Sequence, residues 1–227
     1  MAVINDPNVA ANITKVGEVA TGATGAAHIT NKPIPTSVGH YTVGHRFAIV
    51  ATQAADSRLF VIRNNHASNL IIPLRFRTKW INSAAHTAFI EDSLDAYKLT
   101  GFTVLDTTNT VTLTPSLKRT SMGATSAQIR GVTVAGAAAG MTGGTSTADS
   151  TPFAMHPRIL NQAVEATTET TSRTADVMSL LDETSVSLHP FVLAQNEGIV
   201  LRNRVLLGAA AGSTVYVEFE YAEVTAY

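Results

Sequence analysis

The residues whose types could do chemistry are, first, the seven histidines of this 227-residue chain. A metal site needs several ligands that converge on one point, and an HExxH helix or a comparable spacing is its usual sequence signal. Only His40 and His45 lie close together, and at five positions apart on an extended segment they point to opposite faces. The spacing therefore predicts structural or surface histidines, and no metal ion, at His28, His40, His45, His66, His86, His156 and His189.

The clearest carboxylate cluster contains Glu91, Asp92 and Asp95. A glycosidase needs two carboxylates that flank a cleft, and sugar-binding platforms usually present several aromatic rings. Trp80 is the only tryptophan, so nothing marks such a cleft. We interpret the cluster as a solvated acidic loop.

Motifs for nucleophiles and cofactors are also missing. The chain has no cysteine, which excludes disulfides, thiolate metal sites and cysteine nucleophiles. No G-x-S-x-G elbow, Walker loop or dinucleotide fingerprint occurs. The Gly-rich segment GMTGGTST lacks the lysine and the strand-to-helix context of a phosphate cradle. The sequence thus predicts no enzyme, no cofactor and no small-molecule substrate.

One basic stripe is a candidate for binding. Arg75, Arg77 and Lys79 alternate with core-forming residues in LIIPLRFRTKWI. Phe76 and Trp80 point to the other face, as expected for a half-buried strand. The stripe could hold a polyanion or an acidic neighbour; the alternative is simply the solvated face of a strand.

Bulk properties narrow the class of partner. The net charge is −1, which removes the broad electrostatic reason to expect nucleic-acid or membrane binding. Charged residues make up 15%, against about 25% in an average protein. A polar but weakly charged surface suits packing against other subunits. No apolar run is long enough to span a membrane and no signal peptide is evident, so we expect synthesis in a cytoplasm.

The elements that must position these residues are strands. Short apolar runs with β-forming residues recur at irregular spacing, without βαβ alternation. This pattern predicts an all-β protein, an antiparallel β-sandwich of jelly-roll-like form, over residues 46–227. Residues 137–152 are predicted to be a flexible loop, and 88–98 are ambiguous between strand and helix.

Residues 1–45 have few core-forming side chains. Pro33 and Pro35 exclude a helix and favour extended chain. We predict an extended N-terminal arm, with a disordered tail as the alternative. Its scattered apolar residues are candidate anchors for a protein interface: Val3, Ile4, Ile13, Val16 and Val19.

The most strongly patterned stretch is GIVLRNRVLLGAAAGSTVYVEFEYAEV, residues 198–224. Two alternating segments around a small-residue loop predict a β-hairpin. In the favoured register Arg202 and Arg204 share a face with Glu218 and Glu220. The opposite face, which includes Phe219, is then buried.

The order of these segments resembles a set of virion proteins of tailed bacteriophages. The matching features are INDP near the start, TNKPIPTSVGHYTVGHRF, LFVIRNNHASNLIIPLRFRTKWI, YKLTGFT, LKRTSM and the closing HPFVLAQNEGIVLRNRVLLGAAAGSTVYVEFEYAEV. The resemblance covers most of the chain, and LAQNEGIVLRN with the segment after it is its most specific part. The matched positions are strand and turn residues, so no catalytic or binding residue is carried over.

The resemblance implies a structural component of the particle. We expect a capsid cement or decoration protein that binds the major capsid protein and copies of itself, as a symmetric homo-oligomer such as a dimer or trimer. Such a protein resides in the virion and is assembled in the bacterial host cytoplasm. A tail, baseplate or fibre-anchoring protein is the first alternative, and a host-surface carbohydrate-binding module is the second.

Overall fold

The computed structural model describes residues 18–21, 27–30, 37–82, 90–118, 122–160, 178–182, 191–207 and 213–225. Within them the regular elements are strands, and no helix is long and apolar enough to cross a membrane. The chain divides into two compact units, Met1–Ser37 and Val38–Tyr227. The strands are β1 Glu18–Thr21, β2 Ala27–Thr30, β3 Ser37–Ile49, β4 Arg58–Asn64, β5 Leu70–Asn82, β6 Ile90–Val104, β7 Thr110–Leu113, β8 Ser116–Leu117, β9 Ala127–Val132, β10 Thr145–Ala148, β11 Ala154–Leu160, β12 Met178–Asp182, β13 Gly198–Asn203 and β14 Ser213–Val224.

The first unit contains one antiparallel pair, β1 with β2, in which Val19 lies opposite Ile29. The other four candidate anchors of the predicted arm lie outside the described residues: Val3, Ile4, Ile13 and Val16.

The sandwich starts earlier than the sequence suggested. β3 begins at Ser37, so the predicted boundary at residue 46 falls inside a strand. Tyr41 and Val43 of this strand are buried in the core. The segment SVGHYTVGH has a polar composition, which is typical of an arm rather than of a core strand. Its alternate residues nevertheless supply the inward face of a strand.

Two antiparallel sheets pack face to face. One has the order β12-β5-β14-β3-β8, and the other β10-β6-β13-β4-β9-β7, with β11 also paired with β6. Within them β3-β14-β5-β12 lies opposite β4-β13-β6-β11, which is the strand arrangement of a jelly roll. The predicted antiparallel β-sandwich is therefore confirmed.

In the described part of the chain, one hydrophobic core joins the sheets. The rings of Phe60 on β4, Phe76 on β5 and Phe219 on β14 contact one another, with centroids 5.4–6.2 Å apart. The alternation predicted for β14 is confirmed, since its fully or almost fully buried residues include Val215, Val217, Phe219 and Tyr221.

The predicted hairpin over 198–224 is wrong. β13 lies between β4 and β6 in the seven-stranded sheet, whereas β14 lies between β5 and β3 in the other sheet. Alternation shows which side chains face the core, but it does not show which strand lies alongside. Glu218 and Glu220 consequently lie opposite Arg77 and Arg75 of β5.

Two further segments differ from expectation. β6 is strand from Ile90 onward, so the ambiguous segment 88–98 is strand in its described residues. Thr145–Ala148, inside the segment predicted as a flexible loop, form β10 and pair with β6. This strand has no apolar pattern, because its attachment is through backbone hydrogen bonds to the neighbouring strand.

Candidate functional site

The outer face of the five-stranded sheet concentrates charge. Strand alternation sends every second residue of β3, β5 and β14 away from the core, and many of these outward residues are charged. We call this surface, together with the neighbouring Lys118, the charged face. Its members are Arg46, Arg75, Arg77, Lys79, Lys118, Tyr216, Glu218 and Glu220. The structure thus places all three residues of the predicted basic stripe together.

Glu220 neutralises one end of the charged face. Its carboxylate lies 3.8 Å from Arg75 Nη1 and also pairs with Lys118 Nζ. These side chains are partly exposed, so each pair contributes only about 0–1 kcal/mol to stability. Glu220, a residue of the same chain, is therefore an acidic neighbour of Arg75.

The other end keeps its positive charge. Arg77 lies opposite Glu218 and Lys79 opposite Tyr216, while the Arg46 guanidinium lies 5.9 Å from the Tyr216 ring centroid. None of these three cations forms an ion pair with a carboxylate among the described side chains. Among the members named above, the charged face has five cations and two carboxylates, an excess of three positive charges, on a chain of net charge −1. Asp182 of β12 lies opposite Arg75 in register, at the end that Glu220 neutralises.

A groove of about 500 Å³ opens at this second end. Its polar lining comes from Arg77, Lys79 and Glu218, and its apolar lining from Ile81 and Tyr216, with Thr78 between them. Tyr216 is 37% exposed, so an aromatic ring is available beside the two cations. This combination of charge and apolar surface is suited to binding.

His40 lies beside the neutralised end of the charged face. Burial lowers the pKa of His40, the nearby Lys118 lowers it further, and Glu220 raises it. This histidine is therefore mainly neutral near pH 7 and adds no charge to the face. His45, by contrast, is buried and its Nε2 lies 2.7 Å from the Val132 carbonyl oxygen. The predicted opposite orientation of the two histidines is confirmed.

The acidic cluster is not the solvated loop that we expected. Asp92 and Asp95 are buried on β6, at 1% and 2% exposure, while the side chain of Glu91 lies outside the described set. Asp92 Oδ1 accepts hydrogen bonds from the backbone N–H groups of Ser93, Arg204 and Val205. Burial raises the pKa of Asp92 to about 6, against the lowering effect of those three donors. The carboxyl fixes the turn that follows β13.

The Gly-rich segment 140–147 lies against the buried carboxylate of Asp106. Asp106 Oδ2 lies 3.0 Å from Arg58 Nη2, and the Gly144 N–H donates to Asp106 Oδ1 at 3.3 Å. Arg58 also donates to Ser146 Oγ at 3.0 Å. The ion pair thus ties β4 to the 140–147 segment.

Glu223 was missed by sequence reasoning. It is 1% exposed, and its carboxylate accepts hydrogen bonds from Thr125 Oγ1, from the N–H and hydroxyl of Ser126 and from the Ala127 N–H. Glu223 falls on the same face of β14 as Phe219 and Tyr221, and an acid on a core-facing position signals that donors must meet it.

No group of three or more potential metal-ligating side chains converges among the residues that the structure describes. His156 is buried, and its Nδ1 lies 2.5 Å from Thr78 Oγ1, a contact between the two sheets.

Comparisons with protein-family models, with curated proteins and with solved structures found no match to this chain. The function proposed below therefore depends on the residues and geometry of the chain and on the resemblance described above.

Proposed function

We propose that the protein is a structural component of a tailed-bacteriophage virion, a capsid cement or decoration protein that binds and stabilises the lattice of the major capsid protein. Three features support this proposal: the order of sequence segments that resembles such virion proteins, the jelly-roll sandwich, and a charged outer face. Jelly rolls recur in viral capsid and lectin domains, so the fold alone does not select the function.

The observation that carries the proposal is the charged face. Its excess of positive charge stands on one side of a chain whose total charge is slightly negative. Such an arrangement favours association in a single orientation with a surface of opposite charge. A protein that covers a repeating shell needs this property, because every copy must dock in the same way.

The segment before β3 supplies a second contact in this proposal. Its described part is a two-stranded sheet, β1 with β2, and an isolated two-stranded hairpin is marginally stable in water. Fixing an extended chain costs about 1–2 kcal/mol per residue, so its contacts must be extensive. Val3, Ile4, Ile13, Val16 and Val19 are the proposed anchors to adjacent copies or to the shell.

The proposed assembly is a symmetric homo-oligomer, a dimer or trimer, in the virion. The deciding experiment locates and counts the protein in purified particles by electron microscopy and quantitative mass spectrometry. Hundreds of copies on the shell are expected; a few copies at the tail would identify a tail, baseplate or fibre-anchoring protein instead.

Deletion of residues 2–36 tests the role of the first segment, since the described sandwich begins at Ser37. We expect a folded protein, by circular dichroism and thermal unfolding, that adds poorly to particles lacking the wild-type protein. A second variant replaces Ile4, Ile13 and Val16 by serine, which removes three proposed anchors and keeps the chain length. Normal incorporation of both variants would remove this segment from the mechanism.

A further inference from the structure

The groove lies at the second end of the charged face, the end with Arg77 and Lys79, and its side chains are regularly arranged. Arg77, Lys79 and Ile81 are alternate residues of β5 and project from the same side of the strand. Alternate residues of an extended strand are about 6.6 Å apart. The groove therefore presents two cations and one apolar side chain in a row at that repeat.

The charge in this row is incompletely balanced within the chain. Among the described residues Glu218 is the one carboxylate that lines the groove, beside Arg77 and Lys79, and the Arg46 guanidinium lies 5.9 Å from the Tyr216 ring centroid. The exposed part of that ring widens the apolar end around Ile81. A ligand that fills the groove must bring negative charge to one end and apolar surface to the other.

We propose that this groove binds an acidic, extended segment of a neighbouring shell protein. An extended chain has the same repeat as β5, so its alternate side chains match the row. Two successive alternate positions are acidic and meet Arg77 and Lys79, and the next is apolar and packs on Ile81 and Tyr216. The identity of the neighbour as a shell protein depends on the function proposed above, whereas the pattern acidic-x-acidic-x-apolar comes from the groove alone.

The test uses the full-length protein and a labelled synthetic peptide with Glu-Ser-Glu-Ser-Leu at its centre. Binding is measured by fluorescence anisotropy at low and at high salt. The comparison peptide has the same composition with the two glutamates adjacent, Glu-Glu-Ser-Ser-Leu. We expect the alternating peptide to bind more tightly, and we expect salt to weaken its binding because the contacts are exposed ion pairs.

The matched variants reverse charge on opposite faces of the sandwich. Arg77→Glu with Lys79→Glu is expected to weaken binding of the alternating peptide by roughly tenfold or more. Arg130→Glu, on the outer side of β9 in the other sheet, is expected to leave it unchanged. If the double variant fails to fold, binding of the alternating peptide is measured with the single variant Lys79→Gln instead.

Equal binding by wild type and by Lys79→Gln, or equal binding of the two peptides, would overturn the proposal. Self-association of the protein through this face, seen as a salt-sensitive dimer in sedimentation that Lys79→Gln abolishes, would also overturn it in favour of a second copy. Incorporation into particles is measured separately. Peptide binding without incorporation contradicts the proposed function, and incorporation that is unaffected by Arg77→Glu with Lys79→Glu contradicts only this inference.

Discussion

Phe219 of β14 meets Phe76 of β5 edge to face, with ring centroids 5.4 Å apart and planes inclined at 88°. Both rings are fully buried. We expect Phe219→Ala to lower the free energy of unfolding by about 3–5 kcal/mol, because it removes the ring and leaves a cavity between the sheets. Glu218→Ala, one position away and exposed, is expected to change it by less than about 0.5 kcal/mol. Equal midpoints in urea unfolding would contradict the orientation of β14.

Glu223→Gln tests the buried carboxylate that holds residues 125–127. The amide nitrogen would face donors in place of an acceptor, so we expect a loss of about 1–3 kcal/mol and faster hydrogen exchange at Ser126 and Ala127. Glu197→Gln is the control, since the Glu197 carboxylate is partly exposed, lies 2.9 Å from Lys98 Nζ and accepts one backbone N–H, that of Ala194. An equally small effect of both changes would show that the Glu223 hydrogen bonds do not stabilise this segment.

Asp92 makes stability depend on pH. Its pKa is raised by burial from 3.8 to about 6, so the protonated form stabilises the fold. This contribution to stability is fully present below the pKa of the unfolded state, 3.8, and is lost as the pH rises through the folded-state pKa of about 6. The shift corresponds to about 3 kcal/mol at most. In denaturant titrations between pH 4 and 7, we expect Asp92→Asn to flatten this decline; an unchanged pH profile would assign the decline to other groups.

Gly198 and Gly44 form a matched pair of strand glycines. A Cβ at Gly198 would lie 2.2 Å from the Ile62 carbonyl oxygen on the adjacent strand, whereas at Gly44 the nearest atom is 4.0 Å away. We expect Gly198→Ala to destabilise strongly, since backbone atoms must move, and Gly44→Ala to be neutral or slightly stabilising. Thermal unfolding of the two variants decides this, and similar midpoints would refute the close approach of β13 to β4.

β14 shows most clearly which structural features can be predicted from the sequence and which cannot. Alternation identified its buried residues, including Val217 and Phe219, because a period of two is a local property of a strand. The partner of β14 is not local, and the alternation in β14 fits a hairpin and a change of sheet equally well. The run Ile199, Val200 and Leu201, all fully buried, was the one sign that β13 is an interior strand.

The candidate site was likewise predicted only in part from the sequence. Arg75, Arg77 and Lys79 were predicted to share a face because they lie on one strand. The groove needs Tyr216 and Glu218 as well, and these come from a strand whose pairing with β5 was not predicted. Asp92 was misread because its three donors include N–H groups of residues 204 and 205, more than a hundred positions away.

The jelly-roll connectivity also determines when the molecule can fold. β13 separates β4 from β6, and β14 separates β3 from β5, so the middle of both sheets is filled by residues 198–224. During synthesis the earlier strands leave the ribosome with their inner edges unpaired, and neither sheet can close until this stretch emerges. Pairings over such long sequence separations fold slowly, and exposed strand edges promote aggregation. The nascent chain is therefore expected to depend on chaperones until its last strand is released.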